Sequence, residues 1–141
     1  MEEVLFMDQH PCVSFLVIRD NKILLEQRSL LKESDPGLIA IPGGHMEEGE
    51  TQAQTLHREM DEELAIKALS SYYLCSLYHK ATEELQLIHY YVVNGWQGEI
   101  KALEADEVFW SEINTADIGL ASDRIALNEY LRLQSFLEQS E

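Results

Sequence analysis

Three carboxylates in the middle of the sequence are spaced so that a helix would bring them together. Glu59, Glu62 and Glu63 stand at i, i+3 and i+4, and in a helix from Thr51 to Leu64 they would share one arc. Like charges at this spacing repel one another at a cost of about 0.2–0.5 kcal/mol per pair. A divalent cation would reverse that repulsion, and oxygen ligands suit Mg²⁺ and Mn²⁺. The cluster therefore predicts a metal site that takes phosphate, and the alternative is a solvated acidic face.

The residues before and within this helix indicate how the carboxylates are positioned. Gly43 and Gly44 let the backbone come close to a ligand, so the carbonyl of Gly43 is a candidate metal ligand. Thr51 can cap the helix. The carboxylate arc is predicted to face away from the core, because the apolar residues form a separate stripe of Ala53, Leu56, Met60 and Leu64.

The spacing around the helix resembles the signature of the Nudix hydrolase family. Gly44 is followed after five residues by Glu50, and after seven more by Arg58-Glu59-Met60-Asp61-Glu62-Glu63-Leu64-Ala65-Ile66. The run departs from the family pattern only at Ala65, where the family has glycine. That position lies near the helix end, where alanine tolerates a left-handed conformation less well than glycine, by about 1 kcal/mol. The departure concerns the shape of the helix exit, not the metal chemistry.

The resemblance implies an α+β fold in which a mixed β-sheet is sandwiched between α-helices, in a single domain over residues 1–141. The alternation of predicted strands with two helices supports this fold independently. The implied reaction is hydrolysis of a diphosphate bond in a nucleoside diphosphate linked to another group X. The implied cofactor is Mg²⁺, with Mn²⁺ as a substitute.

The implied roles of the residues follow the same motif. Glu59 is expected to act as general base and metal ligand, with Glu62 and Glu63 as further ligands. Arg58 lies one turn before Glu62 and is expected to orient the carboxylates, with Glu50 as its partner. The resemblance also implies the metal role of the Gly43 carbonyl. The supporting residues are Gly44 and Glu50.

A ligand from outside the helix is expected after the second hairpin. Trp96-Gln97-Gly98-Glu99 resembles a piece of MutT-like members whose Glu helps to hold metal. Glu99 is therefore the first choice. Glu104 and Glu107 are alternatives, because an acidic loop precedes a strand predicted at Val108–Trp110, and spacing does not decide among the three.

Two further residues are candidates for substrate binding. Arg28 could contact an anionic part of the substrate or pair with a surface acid. Asp123 falls near the place where some MutT-like members have an Asn or Asp that contacts the nucleobase, although Asp123 or Ser122 could instead cap a last helix. A nucleobase could also stack on one of the tyrosines Tyr72, Tyr73, Tyr78, Tyr90 and Tyr91.

These pieces predict a purine nucleoside triphosphate as substrate, for example the oxidised nucleotide 8-oxo-dGTP, cleaved to the monophosphate and pyrophosphate. ADP-ribose and other sugar nucleotides are alternative substrates. The alternative from another functional class is a nucleotide-sensing Nudix module without turnover.

Apolar runs predict the remaining elements. Two antiparallel strands are expected around a turn at residues 20–22, then a short strand, a second hairpin, and a final helix whose stripe packs on the sheet. The strands are Pro11–Arg19, Ile23–Arg28, Leu38–Ile41, Leu69–Tyr78 and Leu85–Val93, and the stripe is Ala126, Tyr130, Leu133 and Leu137.

Composition limits the possible partners. The net charge of −16 argues against nucleic-acid polymers and anionic membranes, which are held mainly by Lys and Arg. No apolar run reaches the roughly 18 residues of a membrane span, and the acidic start is unlike a signal peptide. With Cys12 and Cys75 interpreted as reduced core residues, a cytoplasmic protein is expected, either a monomer or a homodimer.

Overall fold

The computed structural model describes residues 8–139, in which seven strands and two helices are formed. Their bounds are β1 (Gln9–Arg19), β2 (Lys22–Gln27), β3 (Ile39–Ala40), β4 (Gly43–His45), α1 (Gln52–Leu64), β5 (Lys67–Lys80), β6 (Leu85–Gln97), β7 (Glu107–Glu112) and α2 (Ala121–Gln139). No helix within these residues is both long and apolar enough to cross a membrane.

The strands form one mixed sheet with the order β3-β2-β1-β6-β5, in which β4 also pairs with β1 and β7 with β2. The central pair, β1 with β6, is parallel from Gln9 opposite Leu85 to Val17 opposite Val93, and the other pairs are antiparallel. The predicted hairpins β1–β2 and β5–β6 and the predicted mixed sheet are confirmed.

Alternation along β1 divides the core between the two faces of the sheet. Val13, Phe15 and Val17 pack in a cluster that includes Leu56, Met60 and Leu64 of α1. Cys12, Leu16 and Ile18 pack in a second cluster that includes Ala126 and Leu127 of α2. One helix therefore covers each face, which confirms the predicted sandwich.

Local conformations explain where the chain reverses. Asp20 and Asn21 have φ of 52° and 61°, as the two central residues of a tight hairpin turn require, so the turn is one residue shorter than predicted. Ala65 also adopts the left-handed conformation, with φ 59° and ψ 32°, and its N–H donates to the carbonyl of Asp61. The helix exit expected for glycine is thus formed by alanine.

Three details of the predicted elements are wrong. Ala53 is exposed, and the buried face of α1 contains Thr55, Glu59 and Glu63 beside the apolar residues. Leu137 is 48% exposed, because α2 extends past the part of it that packs on the sheet. Gly43–His45 is a short strand paired with β1, and the predicted elements did not include it.

Candidate active site

A cleft of about 500 Å³ opens where α1, the centre of the sheet and the start of α2 meet. Its walls include the residues of the carboxylate cluster together with two loops and the face of β1 and β6 that looks toward α2. The cleft residues from the predicted site are Arg28, Gly43, Gly44, Arg58, Glu59, Glu62, Glu63 and Asp123.

Glu59 and Glu63 are buried at this cleft, with exposures of 8% and 6%. This corrects the expectation that the whole carboxylate arc faces away from the core, since only the Glu62 side chain is largely open to solvent, at 46%. Burial raises the pKa of Glu59, and it raises the pKa of Glu63 well above its usual value. Negative charge on Glu59 adds to the effect on Glu63.

Arg58 is held by several acceptors at once. Its Nε and Nη2 donate to the two carboxylate oxygens of Glu50 at 2.7 and 2.9 Å, which confirms the predicted pair. Its Nη1 donates to Glu59 at 2.7 Å and to Glu62 at 3.1 Å, and Nη2 also donates to the carbonyl of His45. The guanidinium therefore orients the carboxylates but has little capacity left for a substrate.

Glu50 connects this arginine to the start of α1. It accepts hydrogen bonds from the Glu47 N–H at 2.7 Å and from the Thr55 hydroxyl at 2.9 Å. These bonds, led by that of Arg58, lower the pKa of Glu50 to about 2. Thr51 caps the helix as predicted and forms a reciprocal capping box with Gln54.

Gly43 and Gly44 leave no room for a side chain. A Cβ on Gly44 would overlap the carboxylate of Glu59, and a Cβ on Gly43 would overlap the carbonyl of Val13 and the side chain of Ser14. Neither glycine has a positive φ, so backbone conformation is not the reason that glycine is needed here. The strand β4 thus lies directly against the carboxylate that the motif singles out.

The donors at this place fit a hard divalent ion, although no three acidic, histidine or cysteine side chains between residues 8 and 139 already converge on one point. The Oε2 of Glu63 is buried and lacks a hydrogen-bond partner in the described chain. This oxygen lies near a second carboxylate with a raised pKa, that of Glu59. A bound cation would satisfy the unpaired oxygen and offset the charge of both groups. Mg²⁺ usually takes one or two carboxylates and completes its shell with water and phosphate oxygens, so a full protein cage is not needed.

Among the three candidates for an outer ligand, Glu104 is the one that lines the cleft. Its negative charge also raises the pKa of both Glu59 and Glu63. Glu99 and Glu107 are not among the lining residues, and Glu107 lies in β7 opposite Gln27. This position in the cleft wall favours Glu104 over Glu99, the first choice from the sequence, as the outer ligand.

Arg28 and Asp123 reach the cleft, but each is already engaged. Arg28 donates to the Ser34 carbonyl and lies 3.3 Å from Glu26. Asp123 is inside the first turn of α2 and does not cap it; its two oxygens accept from the Ile41 N–H at 2.9 Å and the Tyr90 hydroxyl at 2.7 Å. Burial raises the pKa of Asp123 to about 6.

None of the tyrosines in residues 8–139 lines the cleft. Tyr90 is fully buried under Asp123. The apolar surface near Asp123 comes from aliphatic side chains, among them Ile41, Ile88 and Leu120.

Sequence reasoning missed three polar residues. Glu26 is 4% exposed on β2, and burial raises its pKa to about 7. The feature of the sequence that could have identified Glu26 is its charge inside the largely apolar run ILLEQR. Lys32 and Gln86 line the cleft without a motif around them.

Comparison with known proteins agrees with this geometry. A family model described as NUDIX domain matches residues 8–132. An 8-oxo-dGTP diphosphatase of Haemophilus influenzae is 35% identical over 81 residues, which cover 57% of this chain and 60% of that protein, less than two thirds of its length. A CTP pyrophosphohydrolase of Escherichia coli is 34% identical over 98 residues, covering 70% of this chain and 72% of that protein. The structure of a MutT NUDIX hydrolase from Burkholderia pseudomallei matches with a TM-score of 0.79 at 25% identity, covering 86% of this chain and 98% of that one.

Proposed function

The chain belongs to the Nudix family, and we propose that it is a pyrophosphohydrolase that cleaves a nucleoside triphosphate to the monophosphate and pyrophosphate. The observation that supports this most directly is the pair of buried carboxylates, Glu59 and Glu63, at the floor of a cleft large enough for a nucleotide. Burial of two like charges costs stability unless a cation compensates for it, so the arrangement favours a catalytic role over a structural one.

The residues proposed to hold Mg²⁺, or Mn²⁺ in its place, are Glu59, Glu62, Glu63, Glu104 and the carbonyl of Gly43. When bound, the ion would act as a Lewis acid and neutralise the negative charge that develops on the phosphates during cleavage. The fit rests on an all-oxygen donor set and on the unpaired Oε2 of Glu63.

Glu59 is the proposed general base, which takes a proton from the attacking water. Burial raises its pKa in the metal-free protein, and a general base works most efficiently when its pKa lies near the working pH. Arg58 fixes the position of the Glu59 carboxylate, and Glu50 in turn fixes Arg58. Residues 58 and 50 are therefore positioning residues in this proposal.

A panel of nucleotides with product identification tests the reaction. The panel contains 8-oxo-dGTP, dGTP, CTP and UTP, together with ADP-ribose and a dinucleoside polyphosphate, each with Mg²⁺ and with EDTA. We expect Mg²⁺-dependent release of pyrophosphate from a triphosphate. Release of inorganic phosphate would contradict the proposed point of cleavage. A kcat/KM for ADP-ribose that is tenfold above that for every triphosphate would show that the substrates are sugar nucleotides and not triphosphates.

Binding without turnover across the whole panel would instead indicate a sensing module. Stabilisation by the metal provides an independent check: Mg²⁺ should raise the Tm, whereas NaCl at equal ionic strength should not. We propose a cytoplasmic location, which is consistent with Cys12 and Cys75 not being paired with each other.

A further inference from the structure

Gln86 is a buried amide in the wall of the cleft, and the proposed reaction gives it no task. It is 8% exposed and lies on β6, on the same face as Ile88 and Tyr90. Tyr90 bonds to Asp123, and Ile88 and Asp123 both line the cleft. Gln86 therefore belongs to the aliphatic part of the cleft wall, where a base could lie, and not to the carboxylate cluster.

The orientation of this amide is fixed by its neighbour. The Nε2 of Gln86 donates to the Oε1 of Glu84 at 2.8 Å, and because an ionised carboxylate only accepts, the nitrogen must face Glu84. The Oε1 of Gln86 then makes no hydrogen bond to any residue from 8 to 139. The side chain thus presents an acceptor whose partner has to come from the cleft.

Glu84 is itself held in place from two other strands. His45 of β4 contacts its Oε1, and the Nδ1 of His10 in β1 lies 3.3 Å from its Oε2. Burial opposes ionisation of Glu84, but the hydrogen bond from Gln86 and then the contacts with His45 and His10 lower its pKa, which keeps it ionised and accepting. Three strands therefore cooperate to hold the Gln86 amide in one orientation, although neither histidine touches it.

We propose that Gln86 reads the base of the nucleotide by accepting a hydrogen bond from an exocyclic amino group. The inference rests on the proposed function and narrows its substrate class to nucleotides whose base carries an amino group. A carbonyl at the same place on the base would set two acceptors against each other and displace any water that bonds to Oε1. Sites built to bind a hydrogen-bonding group reject analogues that lack it far more strongly than apolar pockets reject a missing methyl group.

Matched substrate pairs test this directly. CTP and UTP differ at position 4 of the base, and GTP and ITP differ by the 2-amino group. The wild-type kcat/KM should favour the amino-bearing partner by at least about tenfold in at least one pair. Gln86→Met keeps the size of the side chain but removes the acceptor, so the ratio should fall to near one. Gln97→Met, at the exposed end of the same strand, is the matched control and should keep the wild-type ratio.

Glu84→Gln separates positioning from folding, because an amide at 84 no longer dictates which way the Gln86 amide faces. The base ratio should fall partway toward one, while the Tm stays close to that of the wild type. Equal use of both partners in both pairs by the wild-type protein would overturn the proposal, as would an unchanged ratio in Gln86→Met.

Binding distinguishes a failure of this inference from a failure of the proposed function. Calorimetric titration with CMP, UMP, GMP and IMP in EDTA needs no turnover, and the amino-bearing monophosphate should bind more tightly in at least one pair. Loss of that difference in Gln86→Met supports the role of Gln86 even if no triphosphate is hydrolysed. Equal binding of both partners in both pairs overturns it even if hydrolysis is fast.

Discussion

Arg58 and Glu50 face each other through two parallel hydrogen bonds, Nε to Oε2 at 2.7 Å and Nη2 to Oε1 at 2.9 Å. The pair joins α1 to the loop before it. The Nη1 of Arg58 also donates to Glu59 and Glu62. Lysine carries one point charge and cannot reproduce this fork.

Arg58→Lys should therefore lower the free energy of unfolding by roughly 1–3 kcal/mol, as expected when charged acceptors lose their donors. Urea denaturation followed by circular dichroism measures it. Arg132→Lys is the control: Arg132 also donates to Glu129 from both Nε and Nη2, but it is 66% exposed, so a change below about 0.5 kcal/mol is expected. Equal losses in both variants would contradict the special role of Arg58.

Glu63→Gln should stabilise the metal-free protein, because it removes a buried charge that faces other carboxylates. The same change should weaken the Tm increase produced by Mg²⁺ and lower turnover by orders of magnitude. Glu62→Gln, at a largely exposed side chain, should change the metal-free Tm less. A full Mg²⁺ shift in Glu63→Gln would exclude that residue as a ligand.

The pH dependence of stability has a sign set by burial. The pKa of Glu26 is raised from 4.5 to about 7, so in this window the folded protein holds a proton that the unfolded chain has released. The contribution of Glu26 to the free energy of unfolding then falls as pH rises from about 5 to about 7.

Glu26→Gln should flatten that fall. Urea midpoints measured across the window in EDTA provide the comparison. A slope as steep in Glu26→Gln as in the wild type would mean that another group dominates.

Ala65→Gly should raise the free energy of unfolding by about 1 kcal/mol, because the residue is left-handed and glycine adopts that conformation without strain. Ala53→Gly, at an exposed position inside the same helix, should lower it by a similar amount. A pair of changes with the same sign would show that the left-handed alanine is not strained.

Lys32→Met should raise the KM for a triphosphate about tenfold with little change in kcat, the effect of losing one charge-assisted hydrogen bond of roughly 1.5 kcal/mol. Lys32 is available because its contact with Glu104 is long, at 3.4 Å, and both side chains are more than a third exposed. Lys22→Met removes the same charge from an exposed pair with Glu112 and should leave KM unchanged. Equal KM values in the two variants would exclude a phosphate contact.

Local patterns were sufficient to locate α1, its cap and most strands. Periodicity and capping act over a few residues, and the signature lies within one loop and one helix. The contact between Arg58 and Glu50 was predictable for the same reason.

Long-range packing determined what the sequence did not reveal. Glu59 is buried where α1 lies against Gly44 of β4, and the parallel pairing of β1 with β6 joins residues more than 70 positions apart. Lys32 and Glu104 are also more than 70 positions apart in the sequence. Local patterns therefore do not show which acidic residue of that loop reaches the cleft.

The lack of space around Gly43 and Gly44 has a consequence for evolution and engineering. Torsion angles alone would permit alanine at both positions, since neither backbone is left-handed. In a saturation library selected for turnover, however, both sites should accept almost no replacement. Alanine at 44 should abolish catalysis before it prevents folding, because its methyl group displaces the Glu59 carboxylate. Selection for solubility alone and selection for turnover would then diverge at residue 44.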